Sequence, residues 1–296
     1  MLWHCQTCVQ QSAMQLIKSQ EELQGFLDDL RSRQATLGFV PTMGALHQGH
    51  VSLVQRALQE NDACIASIYV NPAQFNDPKD FECYPRQEGS DIHTLAQASC
   101  TAVFLPEYST IYPKGNTAST EVHYEVAQGL EGKHRPGHFS GVVAVVRRFF
   151  ELIAPDRAYF GLKDYQQYLV IRAMAAELNM GIDIVGCETV RDPDGLAMSS
   201  RNQLLREQDR TTALHISATL REVKAAYSKG ERKGLAALGR KLLQGCNGLD
   251  LEYFEVLDAK SLRPMEHSAE AQKDEVVALV AARVGGIRLI DNMRLC

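Results

Sequence analysis

Two histidines stand three residues apart in segment 41–50 of the chain, PTMGALHQGH, directly after a short apolar run. A turn that leads into a helix exposes backbone N–H groups at the positive end of the helix dipole, and both features suit a phosphate. The glycines let the backbone come close to a ligand. His47 and His50 can point at one anion and stabilise charge on a phosphoryl group in transfer. Taken alone, the pattern fits a helix-capping histidine equally well.

Two further segments carry polar groups next to turn residues. Segment 70–75, VNPAQF, follows a second apolar run and places the amide of Gln74 where a carboxylate or hydroxyl of a substrate can bind, although Asn-Pro is also an ordinary turn. Segment 135–139, RPGHF, combines a cation and an imidazole ahead of a predicted helix. By itself this second pattern favours a structural cap.

Two more segments carry groups that suit phosphates. In segment 161–167, GLKDYQQ, Lys163 can act as a mobile point charge on phosphate oxygens, while Asp164 also suits a helix N-cap. In segment 198–202, MSSRN, two hydroxyls and a guanidinium suit a pyrophosphate leaving group, and the alternative is a polar loop that caps the next helix. A loop that closes over phosphates would also exclude water from a reactive intermediate.

Alternating strands and helices in residues 1–187 predict an α/β fold, a Rossmann-like doubly wound parallel sheet whose strand-to-helix turns lie at one edge, where such sheets bind nucleotides. Strands are predicted at 36–40, where Pro41 ends the strand, and at 64–70, 101–105, 158–160 and 182–185. Helices are predicted at 21–33, 51–60, 88–98, 141–153 and 165–178, and a loop at 71–86.

The pattern changes after Cys187, so residues 188–296 are predicted to form a second, smaller α+β domain. Helices are expected at 207–228 and 235–243, followed by strands at 251–257, 276–282 and 287–290.

Composition limits the class of protein. The net charge of −5 argues against an electrostatic grip on nucleic acid, and no apolar run approaches the roughly 18 residues of a membrane span. The first residues lack the basic start and apolar core of a secretory signal, so a cytoplasmic protein with reduced thiols is expected. Cys5 and Cys8 have CxxC spacing and leave two readings open, a metal or redox site and a loose, dispensable tail. Met14 is a candidate natural start.

Taken together and in order, the blocks PTMGALHQGH, VNPAQF, RPGHF, GLKDYQQ and MSSRN resemble the pantothenate synthetase family of HxGH nucleotidyltransferases, relatives of the class I aminoacyl-tRNA synthetases. The similarity runs from about residue 36 to 201 and continues weakly through segment 288–292, RLIDN. It implies ATP-dependent ligation of pantoate and β-alanine through a pantoyl-adenylate, with Mg²⁺ on the nucleotide phosphates and a homodimeric enzyme.

The resemblance also implies roles for residues. His47, His50 and Lys163 would be catalytic, with His50 in the position usually assigned as the proton donor. Gln74 would contact pantoate and β-alanine, and Gln167 would contact pantoate. The ATP site would comprise Met43, Gly44, Ala45, Leu46, His47, Gln48, Gly49, His50, Gly161, Leu162, Lys163, Asp164, Val190, Met198, Ser199, Ser200 and Arg201.

Other residues receive secondary roles from the same resemblance. Arg135 and His138 would be supporting residues. No residue is assigned as a direct metal ligand, and Asp91 is a candidate for contact with Mg²⁺ through water. The chain departs from many relatives at Leu162, where they carry Glu, so any nucleotide contact there must come from the main chain.

Three other functions remain open from the residues. Another HxGH nucleotidyltransferase, acting on phosphopantetheine or nicotinamide mononucleotide, would keep the nucleotide in its product. A dinucleotide-binding dehydrogenase would want GxGxxG after the first strand, where this chain has its histidines instead. A noncatalytic nucleotide-binding regulator would bind ATP without turnover.

Overall fold

The computed structural model of the chain describes residues 13–113, 115, 122–264 and 275–296. Cys5 and Cys8 lie outside the described residues, so the expectations for the N-terminal tail stay predictions. Within the described part, the chain forms a six-stranded parallel sheet flanked by helices and a three-stranded antiparallel sheet.

The elements come in a regular order along the chain. The parallel strands are β1 (Gln15–Ile17), β2 (Leu37–Thr42), β3 (Ala63–Ile68), β4 (Ala102–Phe104), β5 (Arg157–Gly161) and β6 (Asp183–Cys187). The helices up to β6 are α1 (Gln20–Ser32), α2 (Gln48–Glu60), α3 (Pro78–Glu82), α4 (Glu88–Gln97), α5 (Tyr108–Ile111), α6 (Leu130–His134), α7 (His138–Ile153) and α8 (Tyr165–Glu177). Helices α9 (Glu207–Ser228) and α10 (Leu235–Gln244) then precede the antiparallel strands β7 (Leu249–Asp258), β8 (Val276–Val284) and β9 (Ile287–Arg294).

The parallel sheet has the strand order β1-β4-β3-β2-β5-β6, which confirms the predicted doubly wound α/β class. The chain winds outward in one direction from β2 to β3 and β4, and then resumes on the other side of β2 with β5 and β6. The order therefore reverses between β2 and β5. Ligands of such sheets bind in the crevice outside the carboxyl ends of the strands at this switch point.

Alternating side chains on the strands build two apolar layers, one on each face of the sheet. Phe39 and Ile65 pack with α1, α7 and α8, whereas their neighbours Val40 and Cys64 pack with α2 and α4. This two-sided burial explains why the strands read as continuous apolar runs in the sequence.

The crevice at the switch point begins where β2 and β5 part. These two strands pair only at Gly38 and Phe39 of β2 in the described structure. Pro41 was expected to end the strand, but β2 continues through Thr42. Odd-numbered residues of β2 face β5, as the bond from Asp156 N to Leu37 O shows, so the missing N–H of Pro41 points to the side where pairing has stopped.

Segment 71–86 was predicted as a loop, and that prediction was wrong in part. A 3-10 turn spans Pro72–Gln74 and a short helix, α3, spans Pro78–Glu82. Each begins with proline, and the side chains of Asn71 and Asp77 accept hydrogen bonds from the backbone two residues on. The same residue types form turns and caps, so the sequence did not separate the two.

The antiparallel sheet is covered on both faces. From β8, Val276, Ala278 and Val280 pack with α9 and α10, whereas Val277 and Leu279 pack against Leu162, Tyr165 and Leu169 at the start of α8. The small sheet therefore closes on the edge of the large sheet where segment 161–167 lies. The last parallel strand ends at Cys187, and the division into domains 1–187 and 188–296 stays a prediction.

Candidate active site

A cavity at the switch point is lined by the ends of β2 and β5 and by segment 198–201. Most of the residues predicted for the site line it. They are Met43, His47, Gly49, His50, Gln74, Gly161, Lys163, Asp164, Gln167, Val190, Met198, Ser199, Ser200 and Arg201. Residues from five separate parts of the chain thus meet in one place: 43–50, 74, 161–167, 190 and 198–201.

His47 and His50 are held by the start of α2. His47 is the N-cap and accepts a hydrogen bond at Nδ1 from Gly49 N (3.1 Å), while His47 N donates to His50 Nδ1 (3.2 Å). The helix cap is therefore present, and both histidines also line the cavity, so their functional role stays a prediction that the capping does not exclude. In both rings Nδ1 accepts, so the ring proton resides on Nε2.

Both imidazoles are neutral over the physiological range. Burial and the cation of Lys163 lower the pKa of His47 to about 4. Burial, followed by the neighbouring His47 and Lys163, lowers the pKa of His50 to about 3. A helix N-terminus also disfavours an imidazolium. Each ring is therefore a neutral Nε2–H donor that can bind a charged oxygen.

The loop between β2 and α2 is shaped by Asp91, which is buried. Its two carboxylate oxygens accept from Ala45 N and Leu46 N, both at 2.8 Å. Ala45 and Gly44 adopt positive φ, and a Cβ on Gly44 would meet Asp91 Oδ2 at 2.8 Å. With both oxygens engaged by amides, Asp91 holds the loop, and nothing in this geometry supports its expected contact with Mg²⁺ through water.

Several predicted ATP-binding residues do not line the cavity. Ala45 is fully buried, Gly44 lies beside Asp91, and Leu46 packs in the apolar layer beneath. Gln48 is exposed at the first position of α2. Their side chains are structural or turned away, and their assignment to ATP stays a prediction about the main chain.

Segment 161–164 follows β5 and supplies a mobile cation to the cavity. Lys163 pairs with Asp164 at 3.9 Å, and Asp164 occupies the N-cap position of α8 without making a side-chain cap. The side chain of Leu162 packs into the apolar cluster between α8 and the antiparallel sheet. Sequence reasoning assigned no role to Asn292, whose side chain donates to the carbonyls of Leu162 and Lys163, each at 2.8 Å.

Gln74 and Gln167 face the cavity from opposite sides of the switch point. Gln74 is held inward by Asn71, whose Nδ2 donates to Gln74 Oε1 at 3.3 Å. Gln166, next to Gln167, is instead structural, because its amide bonds the backbone of Glu131, Val126 and Gly129.

Segment 198–201 crosses over the cavity from the C-terminal part of the chain. Ser200 Oγ donates to Ala45 O at 2.9 Å, so this segment is bonded to the loop of the histidines. Arg201 makes a two-pronged ion pair with Asp80 of α3, at 3.1 and 2.7 Å. Glu188 and Thr189 also line the cavity beside Val190 and were missed, since nothing in their local sequence marks them.

Comparisons with known proteins agree with this geometry. A family model described as pantoate–β-alanine ligase matches residues 15–294. The chain belongs to the pantoate–β-alanine ligase family. It is 41% identical over 281 residues to the pantothenate synthetase of Porphyromonas gingivalis, covering 95% of this chain and 99% of that one. It is 44% identical over 285 residues to that of Pseudomonas fluorescens, at 95% and 99% coverage.

Solved structures of the ligase family have the same fold. Pantothenate synthetase from Thermus thermophilus superposes with a TM-score of 0.87 at 36% identity, covering 95% of this chain and 99% of that chain. The ligase from Francisella tularensis, solved with β-γ ATP and β-alanine, gives 0.79 at 36% identity, with coverage of 96% and 98%. The chain is therefore an ATP-using ligase of the family that forms pantothenate.

Proposed function

We propose that the chain joins pantoate to β-alanine through a pantoyl-adenylate formed in the cavity between β2 and β5. The observation that supports this most directly is the meeting of two kinds of group in one crevice. Neutral donors and cations suited to phosphates come from His47, His50, Lys163 and segment 198–201, and the amides of Gln74 and Gln167 lie among them.

The first step is transfer of the adenylyl group. The carboxylate of pantoate attacks the α-phosphorus, a C–O–P bridge forms and the bond to pyrophosphate breaks. The Nε2–H groups of His47 and His50 and the ammonium of Lys163 bind the charge that develops on the transferring group. Ser199, Ser200 and Arg201 receive the departing pyrophosphate, and for this Arg201 must exchange Asp80 for phosphate oxygens.

The second step is attack of the β-alanine amine on the acyl carbon, which releases AMP and a proton. The released AMP keeps the bridging oxygen of pantoate. Gln74 and Gln167 hold the acid in line, so catalysis is mainly positioning and electrostatics.

The donor set fits Mg²⁺ that is carried mainly by the nucleotide. Among the described residues no group of three or more metal-ligating side chains occurs. The carboxylates of Asp80 and Asp91 are committed to Arg201 and to amides, whereas Asp164 lines the cavity half-exposed with one long ion pair. Asp164 would offer the protein carboxylate, and the ion would neutralise charge on the phosphates.

The setting is proposed as a cytoplasmic homodimer, in keeping with the resemblance to the family. In the described ranges, no helix has both the length and the apolar character needed to cross a bilayer. The substrates are small molecules, pantoate, β-alanine and ATP.

Isotope exchange tests the route. Pantoate without β-alanine should support exchange of labelled pyrophosphate into ATP, and ¹⁸O from the pantoate carboxylate should appear in AMP after full turnover. AMP that forms without the label would exclude the adenylate. A nucleotidyltransferase for another acceptor would ignore pantoate, and a dehydrogenase or a passive regulator would give neither signal.

A further inference from the structure

Arg135 is a largely buried cation that faces the cavity without a close carboxylate partner. It lies between α6 and α7, its side chain is 16% exposed, and it lines the cavity at the switch point together with the space towards the antiparallel sheet. Its Nη1 donates to His138 Nε2 at 3.1 Å, and its Nε reaches Asn76 Oδ1 only at 3.4 Å. Within the described ranges, Nη2 has no hydrogen-bond acceptor.

The nearest carboxylate, Glu131, is already engaged. Arg288 of β9 binds both of its oxygens, at 2.6 and 2.8 Å, and the hydroxyl of Tyr253 donates to it at 2.7 Å. Arg135 reaches Glu131 only at 3.7 Å. Arg201, in contrast, donates two hydrogen bonds to the carboxylate of Asp80, so its guanidinium has a close carboxylate partner.

The surroundings of Arg135 favour an added anion. Burial lowers the pKa of Arg135, and the neighbouring guanidinium groups of Arg201 and Arg288 lower it further against the opposing effect of Glu131. The side chain remains charged because arginine does not deprotonate in proteins. A buried cation with free donors gains most from an anion that brings its own negative charge.

His138 fixes Arg135 next to Gln74. His138 Nδ1 lies 2.8 Å from Gln74 O, and a carbonyl can only accept, so Nδ1 carries the proton and Nε2 accepts from Arg135. Burial, and then the charge of Arg135, lower the pKa of His138 to about 4, so this arrangement persists at neutral pH. Two hydrogen bonds, from Arg135 to His138 and from His138 to Gln74, therefore connect the unpaired Nη2 group to Gln74, the residue expected to contact both substrates.

We propose that Arg135 binds the carboxylate of the amine substrate, a short ω-amino acid, and so selects β-alanine over uncharged amines. A guanidinium fork and a carboxylate fit each other through two parallel hydrogen bonds. The reaction has two other anions. For the nucleotide phosphates, the start of α2 and segment 198–201 already offer donors. The pantoate carboxylate is separated by experiment, because it takes part in pyrophosphate exchange whereas the amine substrate does not. This inference rests on the proposed function, since it assigns a subsite to the second step.

The experiment compares β-alanine with β-alaninamide, which has the same shape and no negative charge. Wild-type enzyme should prefer β-alanine strongly in kcat/KM. Arg135→Met should raise the KM for β-alanine by roughly 10- to 100-fold, the loss expected for a charged hydrogen bond, and change kcat/KM for the amide by less than about threefold. Arg135→Lys keeps the positive charge but lacks the two-pronged donor geometry. Its KM for β-alanine should therefore lie between the values for wild type and for Arg135→Met.

Pyrophosphate exchange with pantoate and ATP supplies the second arm, because it needs no amine. Exchange should stay within about threefold of wild type in both Arg135 variants. Arg148→Met on α7, an arginine that donates to Thr110 O away from the cavity, serves as the matched control and should behave as wild type throughout.

Each outcome decides the matter. An unchanged preference for β-alanine over the amide in Arg135→Met overturns the proposal. A loss of exchange that matches the loss of ligation would place Arg135 in the first step, on the pantoate carboxylate or the nucleotide phosphates, and also overturn the proposal. The ratio of the two amines does not depend on the folded fraction, so a poorly folded variant still reports. Wild-type enzyme without pantoate-dependent exchange would instead refute the proposed function itself.

Discussion

At the scale of single residues, the tautomer of His47 and of His50 determines which ring nitrogen carries the proton. Each Nδ1 is occupied by a backbone N–H at the start of α2, which leaves each Nε2–H as a donor towards the cavity. The resemblance placed His50 as the proton donor. Its pKa of about 3 favours a different role, that of a neutral hydrogen-bond donor that remains protonated at Nε2 throughout turnover.

His50→Ala should lower kcat by about 10²–10³, the usual loss when one donor to a developing charge is removed. Stability should change by no more than about 1 kcal/mol, since only one capping contact disappears. Steady-state ligation and thermal unfolding measure the two effects. His93→Ala, at an exposed position on α4, is the control. Near-native turnover in folded His50→Ala would show that the residue has no part in the chemistry.

At the scale of elements, the loop between β2 and α2 depends on α4. Asp91 joins α4 to the amides of Ala45 and Leu46, and it keeps the positive-φ turn in place. A carboxylate is required here because two N–H donors meet one side chain. An asparagine can accept only one of them and would turn its own NH₂ towards the other.

Asp91→Asn should therefore destabilise the protein by about 1–3 kcal/mol and weaken ATP binding, because the loop loses its shape. Urea unfolding and titration with ATP provide the measurements. Asp62→Asn is the matched control, since Asp62 accepts from Thr36 N and Oγ1 at the opposite, amino end of β2. If both variants bind ATP equally well, the loop does not depend on Asp91.

At the scale of the whole molecule, a buried ion pair joins helix α6, beside the cavity, to the antiparallel sheet. Glu131 of α6 and Arg288 of β9 have side chains only 8% and 15% exposed. Burial by itself would raise the pKa of Glu131, but the bonds and charge of Arg288 outweigh it and lower the pKa to about 2. Asn292, four residues further along β9, binds the main chain of segment 161–164. Strand β9 thus makes two contacts near the site, one through Arg288 and one through Asn292.

Arg288→Met should cost about 3–5 kcal/mol, because it leaves a buried carboxylate unpaired. The folded pKa of Glu131 lies below the ordinary value of 4.5, so the stability from the pair is complete above about pH 4.5 and is lost as the pH falls towards 2. Denaturant unfolding at several pH values should show the two proteins converging in that window.

Arg263→Met is the matched control for Arg288→Met, because it removes an ion pair that is exposed. Arg263 binds Glu125 with the same two-pronged geometry, at 2.7 and 2.6 Å, but both side chains are 61% exposed. Its loss should cost at most about 1 kcal/mol. Equal effects of the two substitutions would mean that burial does not set the strength of the pair between Glu131 and Arg288.

The sequence by itself determined the long elements and most of the segments that line the cavity. Strand β3 is a continuous apolar run, and α7 repeats its apolar residues with the helical period, so both were predicted within a few residues of their observed bounds. The glycine- and histidine-rich turn could be recognised because its residue types and its position after a strand are local properties.

Only the tertiary structure determined the short elements and the contacts between residues that are far apart in the sequence. Strand β1 has three residues, too few for a period, and exists because β4 lies beside it. Arg135 and Glu131 are four residues apart in sequence, yet Glu131 is engaged by Arg288, 157 positions later, and this is what leaves the fork of Arg135 open. Such pairings depend on how the antiparallel sheet docks, and no local pattern encodes that, because docking is set by the summed packing of both sheets.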